Sequence, residues 1–110
     1  MSPAMLNLET RFTDGEAFFG LTGEISLRTS GILSDALRDA WATGRVQAIE
    51  VDMRHVVFID SSGIQVLLSA RRALSSPEQF RVVVKPLSQP DSVFRLGRFD
   101  TVMKIVQASS

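Results

Sequence analysis

The chain has 110 residues, 45% of them hydrophobic, with 12 basic and 12 acidic side chains and a formal net charge of zero. One domain of this length buries roughly 60–70% of its unfolded surface, and balanced charge supplies no field to draw nucleic acid or an anionic membrane. No cysteine and a single histidine exclude disulfides and thiolate metal sites and leave little for zinc. No apolar run approaches the ~20 residues of a membrane span, and the opening MSPAMLNLET has no basic stretch before an apolar core. These features predict one soluble, cytoplasmic domain over residues 1–110, without membrane insertion or direct nucleic-acid binding.

Leu6, Leu8 and Phe12 alternate loosely, and Ala17 to Leu21 is a short apolar run. Thr13-Asp14-Gly15 between them has hairpin-turn chemistry. From Thr29 to Ala42 the period changes, and Ile32, Leu33, Ala36, Leu37, Ala40 and Trp41 form one stripe of an amphipathic helix. Thr43-Gly44 closes that helix, and Trp41 is expected to pack in or at the edge of the core.

Val46 to Met53 reads as a strand with Ile49, Val51 and Met53 on one face. Val56 to Ile59 is apolar without alternation, the pattern of backbone buried on both sides. Beyond Ser61-Ser62-Gly63, the residues Ile64, Leu67, Leu68 and Arg71 recur at helical spacing until Ser76-Pro77, where proline forbids continuation. Arg71 and Arg72 are expected to be solvated. Phe80 to Val84 is a strand, Pro90 to Phe99 a short helix with Val93, Phe94 and Leu96 inward, and Val102 to Val106 a last strand or helix end. The order β-β-α-β-α-β-α-β predicts an α/β fold, a mixed sheet of four to five strands with about three helices on one face or both.

The polar break in FIDSSGIQVLL, residues 58–68, falls where a strand gives way to a helix. Such a spot can be a helix cap, the seat of a nucleophile, a phosphate cradle or a phosphorylation site. A serine nucleophile needs a base, and His55, six positions before Ser61 on an extended run, lies roughly 20 Å away unless the chain folds back. The G-x-S-x-G elbow is absent, as are G-x-x-x-x-G-K-[ST] and G-x-G-x-x-G. No catalytic residue, cofactor site or metal site is therefore expected. Capping accounts for one polar residue here, since Asp and Ser oxygens accept from first-turn amides. Three in a row ask for more.

VDMRHVVFIDSSGIQVLLSARRAL, residues 51–74, closely resembles the central segment of anti-sigma factor antagonists, the proteins that define the STAS domain. In that family an apolar strand ends in Asp-Ser-Ser-Gly or Asp-Ser-Thr-Gly before an aliphatic helix. LTGEIS, residues 21–26, resembles the family's Leu-x-Gly-Glu-Leu-Asp, and VFRLGRFDTVMKIV, residues 93–106, its last helix and strand. Two positions depart from the pattern. Ser26 replaces an Asp, and Thr101 replaces the Gly that precedes the final strand, which predicts a reshaped C-terminal turn.

The resemblance implies a single STAS domain with Ser61 as the target of a serine kinase that is itself the anti-sigma factor. Unmodified protein would bind that kinase and free a sigma factor, phosphorylated protein would let go, and a serine phosphatase would reset the switch. Phosphate adds about −1.5 to −2 charge beside Asp60. At a helix start it is expected to meet free amides and the positive helix end, so that the domain tolerates it. The partner surface is expected to comprise Asp60, Ser61, Ser62 and Gly63 together with Glu24, Ser26 and Arg28, with Ser62 seating the helix. Two other readings stay open: a STAS subunit of another assembly, such as a lipid-transport ATPase or a signalling or secretion-control complex, and a sensor of a small ligand or nucleotide.

Overall fold

Alternation at Leu6 and Leu8 becomes strand β1 (Leu6–Thr13), and a two-residue turn returns the chain as β2 (Glu16–Ile25). Asp14 and Gly15 take φ of +46° and +84°, the left-handed pair of a type I′ hairpin. There follow α1 (Ser30–Ala42), β3 (Ala48–Ile59), α2 (Ser61–Arg72), β4 (Phe80–Val84), α3 (Gln89–Leu96) and β5 (Lys104–Gln107). These come from a computed structural model that describes residues 5–108, so residues 1–4 and 109–110 of the expected 1–110 domain lie outside the described residues.

The five strands are ordered β1-β2-β3-β4-β5, β1 antiparallel to β2 and the others parallel, which makes the sheet mixed as expected. One core unites sheet residues such as Phe19, Ile25, Val51, Met53 and Val82 with Leu33 and Leu37 of α1, Leu67 of α2 and Phe94 of α3. All three helices therefore cover one face. The alternate residues Glu9, Arg11, Phe18, Glu50 and Arg81 lie on the other face.

Several expectations need correction. Val56 to Ile59 is the end of β3, and it is not buried on both sides: Val57 is 67% and Phe58 39% exposed. Two bulges each insert one extra β3 residue, opposite Gly20–Thr22 and Gly23–Glu24 of β2. Bulges re-aim side chains, so Met53, Val56 and Ile59 reach the core at three-residue intervals, a spacing that conceals the alternation.

On α1 the buried stripe is Leu33, Leu37 and Ala40, while Ile32 and Trp41 at its margins are largely exposed. Trp41 sits at the mouth of a groove of about 330 Å³ between α1 and α2, lined also by Leu37, Ile49, Val66 and Ala70. Leu96, expected inward, is exposed because α3 turns Phe94 to the core and ends there. Arg71 is not simply solvated, since its guanidinium donates to the carbonyls of Val102 and Leu74. The C-terminal turn is a short 3₁₀ segment, Phe99–Thr101, entered through Arg98 at φ +56° and closed by the Thr101 hydroxyl on the Arg98 carbonyl.

α3 is anchored by a buried carboxylate. Asp91 accepts from Leu87 N–H at 2.9 Å, Arg95 Nη2 at 2.9 Å and Gln107 Nε2 at 3.0 Å, joining the β4–α3 loop, α3 and β5. Burial pushes its pKa up, but the Gln107 amide, the Leu87 N–H and the Arg95 charge outweigh it and hold the pKa below the usual 3.8. A depressed carboxylate contributes stability above its unfolded pKa and loses it as pH falls through the folded value. The urea midpoint should therefore drop as pH goes below about 4, and Asp91→Asn should flatten that acid limb, starting about 1–3 kcal/mol less stable at neutral pH. An unchanged acid limb in Asp91→Asn would place the linkage elsewhere.

Gly63 brings the first turn of α2 onto the strand ends. A Cβ there would lie 2.7 Å from Ile25 Cγ2 and 2.7 Å from Ile59 Cγ1, in side chains that are themselves fully buried. Alanine would gain about 0.8–1 kcal/mol of helix propensity, against overpacking that costs about 1–3 kcal/mol. Crowding from both sides decides the sign. Gly63→Ala should lower the unfolding free energy by about 1–2 kcal/mol, and a higher urea midpoint would show that the seat has room.

Candidate functional site

The carboxyl ends of β2 and β3 meet the start of α2 at Asp60. This residue is the N-cap of α2, in extended conformation, and its Oδ1 accepts from Ser62 N–H at 2.9 Å and Gly63 N–H at 3.3 Å. Its Oδ2 accepts from Leu27 N–H at 3.2 Å, in the loop between β2 and α1. Its own N–H donates to the Ile25 carbonyl at 3.1 Å. One side chain thus ties the β2–α1 loop to the start of α2.

Two further clamps complete the rim. Thr29, 3% exposed, donates from Oγ1 to the Glu24 carbonyl at 2.7 Å and accepts from Ser26 N–H at 2.9 Å. Gln89 at the start of α3 accepts from Ile59 N–H at 2.8 Å and donates to the Ile59 carbonyl at 2.9 Å, acting as a strand partner where β4 has ended. In the LTGEIS stretch, Gly23 has φ +116° and a Cβ there would lie 2.2 Å from the Met5 carbonyl oxygen, so only glycine fits.

Ser61 is the first residue of α2 and is exposed, with Ser62 half-buried beside it and Gly63 buried beneath. Glu24 is half-buried, pairing in register with Phe58, and Arg28 is exposed on the adjacent loop. Ser26 belongs to the same rim, but its hydroxyl is enclosed and has no hydrogen-bond partner. The amides expected to greet a phosphate are not free, because Asp60 already holds those of Ser62 and Gly63. What the cap leaves for an added anion is the Ser61 N–H and the field of the helix end.

The rim also carries apolar side chains not foreseen from the sequence. Leu27 is 79%, Leu87 87% and Phe58 39% exposed, all on loops or strand ends tied to Asp60, Ile59 or Asp91. Leu27 and Leu87 are single apolar residues in polar loops, a faint signal. Phe58 is hidden in an apolar run, and only the bulge reveals its direction. His55 lies exposed within β3, opposite Thr22, and the uninterrupted strand holds it away from Ser61. Among the described residues no three His, Cys, Asp or Glu side chains gather to hold a metal, and no helix is long and apolar enough to cross a membrane.

Comparison with known proteins follows this geometry. An anti-sigma factor antagonist from Mycobacterium paratuberculosis superposes with a TM-score of 0.82 at 22% identity, over 96% of this chain and 88% of that one. SpoIIAA, the Bacillus cell-fate determinant, in its phosphorylated form gives 0.67 at 20% identity, over 96% and 93% of the two chains. The unphosphorylated form of SpoIIAA, an anti-sigma factor antagonist, gives 0.63 at 19%, over 96% and 89%. At these identities the likeness is one of fold. No curated protein matches the chain in sequence. The family described as Mlab, STAS domain, matches residues 8–107. With that match running from β1 to the last residue of β5, the chain belongs to the STAS-domain family.

Proposed function

We propose that the chain is a docking module switched by phosphorylation of Ser61, acting as an anti-sigma factor antagonist. In this reading unmodified protein binds an anti-sigma factor that is also its serine kinase, releasing a sigma factor. Phosphorylated protein dissociates, and a serine phosphatase restores it. One observation carries the reading: Ser61 stands exposed at the first position of α2, next to Asp60, whose carboxylate also holds the loop that carries the exposed Leu27. A partner that covers Leu27 would desolvate the Ser61 hydroxyl too. A phosphate there would bring about −1.5 to −2 charge into that contact, next to the Asp60 carboxylate. The effect is local charge with little refolding.

The rim is also the docking surface in a second reading, as a STAS interaction subunit of another assembly. The family's description as Mlab favours it. Purification of the tagged chain with its bound protein, followed by identification of that protein, separates the two. An anti-sigma kinase supports the first reading, and a transport or other complex the second.

The switch itself is tested by two substitutions. Ser61→Asp places a carboxylate at a helix N-terminus, worth about 0.3–1 kcal/mol in its favour and offsetting repulsion from Asp60. It should unfold near the parent midpoint. Its affinity for the kinase should fall at least about tenfold, or about 1.4 kcal/mol. Ser61→Ala should bind like the unmodified chain and take no label from kinase and ATP. Label retained on Ser62 in Ser61→Ala would move the phosphosite. Undiminished binding by Ser61→Asp and by the phosphorylated chain together would remove Ser61 from the interface.

A further inference from the structure

The two edges of the sheet are unlike. β5 is four residues long and carries Lys104, paired with Glu78 at 3.3 Å, which are devices that blunt an edge against pairing. β1 is eight residues long, contains neither lysine nor proline, and among the described residues has no strand paired to its outer side.

The register of the hairpin fixes which groups those are. The Met5 carbonyl accepts from Glu24 N–H, so it points at β2, and by alternation so do the backbone groups of Asn7, Glu9, Arg11 and Thr13. Those of Leu6, Leu8, Thr10 and Phe12 point outward. The side chains alternate too: Leu8, Thr10 and Phe12 lie on the helix-covered face, and Glu9 and Arg11 on the other.

We propose that β1 pairs antiparallel with β1 of a second copy about a two-fold axis at Thr10, giving a homodimer with a continuous ten-stranded sheet. In that register Thr10 exchanges both backbone hydrogen bonds with its counterpart, and Phe12 does so with the second copy's Leu8. All of these groups point outward. Glu9 falls opposite the second copy's Arg11, and Arg11 opposite its Glu9, in the non-hydrogen-bonded positions where side chains approach most closely. The strand is therefore charge-complementary to itself. Among the described residues neither Glu9 nor Arg11 has an ion-pair partner, and Arg11 rests over the Phe18 ring at 4.3 Å, held on the face where the pairing occurs.

The apolar face agrees with this register. Phe12 is 57% exposed and would be laid against the second copy's half-buried Leu8. Ile32, 47% exposed, is nine residues from Trp41, or half a rotation of the helix. Trp41 faces the groove toward α2, so Ile32 looks outward over β1, where the second copy's α1 would arrive.

Sedimentation equilibrium of the 110-residue chain, from about 1 µM to about 1 mM, tests this. The wild type should show a monomer–dimer equilibrium, and Arg11→Glu should weaken it at least tenfold by facing two carboxylates across the junction. The double exchange Glu9→Arg with Arg11→Glu restores opposite charges and should return the dissociation constant to within about threefold of wild type. Thr10→Pro removes an outward N–H that the monomer does not use, so it should abolish the dimer while the folded monomer persists by circular dichroism. A wild type monomeric throughout would overturn the proposal. So would an Arg11→Glu dimer as tight as the parent's, a double exchange that fails to rescue, or a Thr10→Pro dimer.

Discussion

The Asp60 carboxylate is the contact on which the carboxyl-end rim of the sheet depends. It satisfies two of the orphan amides that open α2 and one amide of the β2–α1 loop. Its backbone closes the register between the ends of β2 and β3 through Ile25. Each hydrogen bond to an ionised acceptor is worth roughly 1.5–3 kcal/mol, but their placement matters more than their sum. Two stretches distant in sequence, Ile25–Leu27 and Asp60–Gly63, become one rim, and Ser61 stands on it with its position set by its neighbour. Beneath it, Gly63 lets the helix end sit on Ile25 and Ile59 without a gap.

That arrangement also governs what a phosphate on Ser61 could do to the domain itself. Asp60 already occupies the Ser62 and Gly63 amides, so a phosphate that does not face outward finds only the Ser61 N–H or must compete with Asp60 for its donors. Competition would loosen the Leu27 tether, since the same carboxylate holds it. An outward phosphate leaves the fold unaltered and puts its charge where a partner would lie. Either course acts on the rim, and neither requires the core to move.

Much of this was legible in the sequence, and the failures have definite causes. Element order and type followed from periodicity, and the Asp-Ser-Ser break marked the strand-to-helix junction because capping chemistry is local. Side-chain direction was lost wherever the backbone departed from an ideal repeat. Two bulges in β3 turned what read as a doubly buried run into one with Val57 and Phe58 facing solvent. Ile32 and Trp41 fit a helical stripe, yet only its centre is covered, because one sheet face must accommodate three helices side by side. The occupation of the Ser62 and Gly63 amides could not be read from composition, since Asp60 and Ser61 are both competent caps. The enclosure of the Ser26 hydroxyl depends on Thr29 folding the loop back, a contact no spacing rule announces.

The edge and the rim are placed so that one leaves the other free. β1 is antiparallel to β2, and the rim lies where β2 and β3 end. A two-fold axis through Thr10, perpendicular to the sheet, keeps the helices of both copies on the same side and reverses the strand directions. The two Ser61 rims then point to opposite ends of the ten-stranded sheet. In the proposed dimer a partner docked on one rim would leave the other uncovered, and the proposed phosphorylation of one Ser61 would not depend on the other. With rims at opposite ends, such a dimer would favour linking two partners over gripping one, without an avidity term. The sheet that fixes Ser61 in the monomer would also set this geometry in the proposed pair.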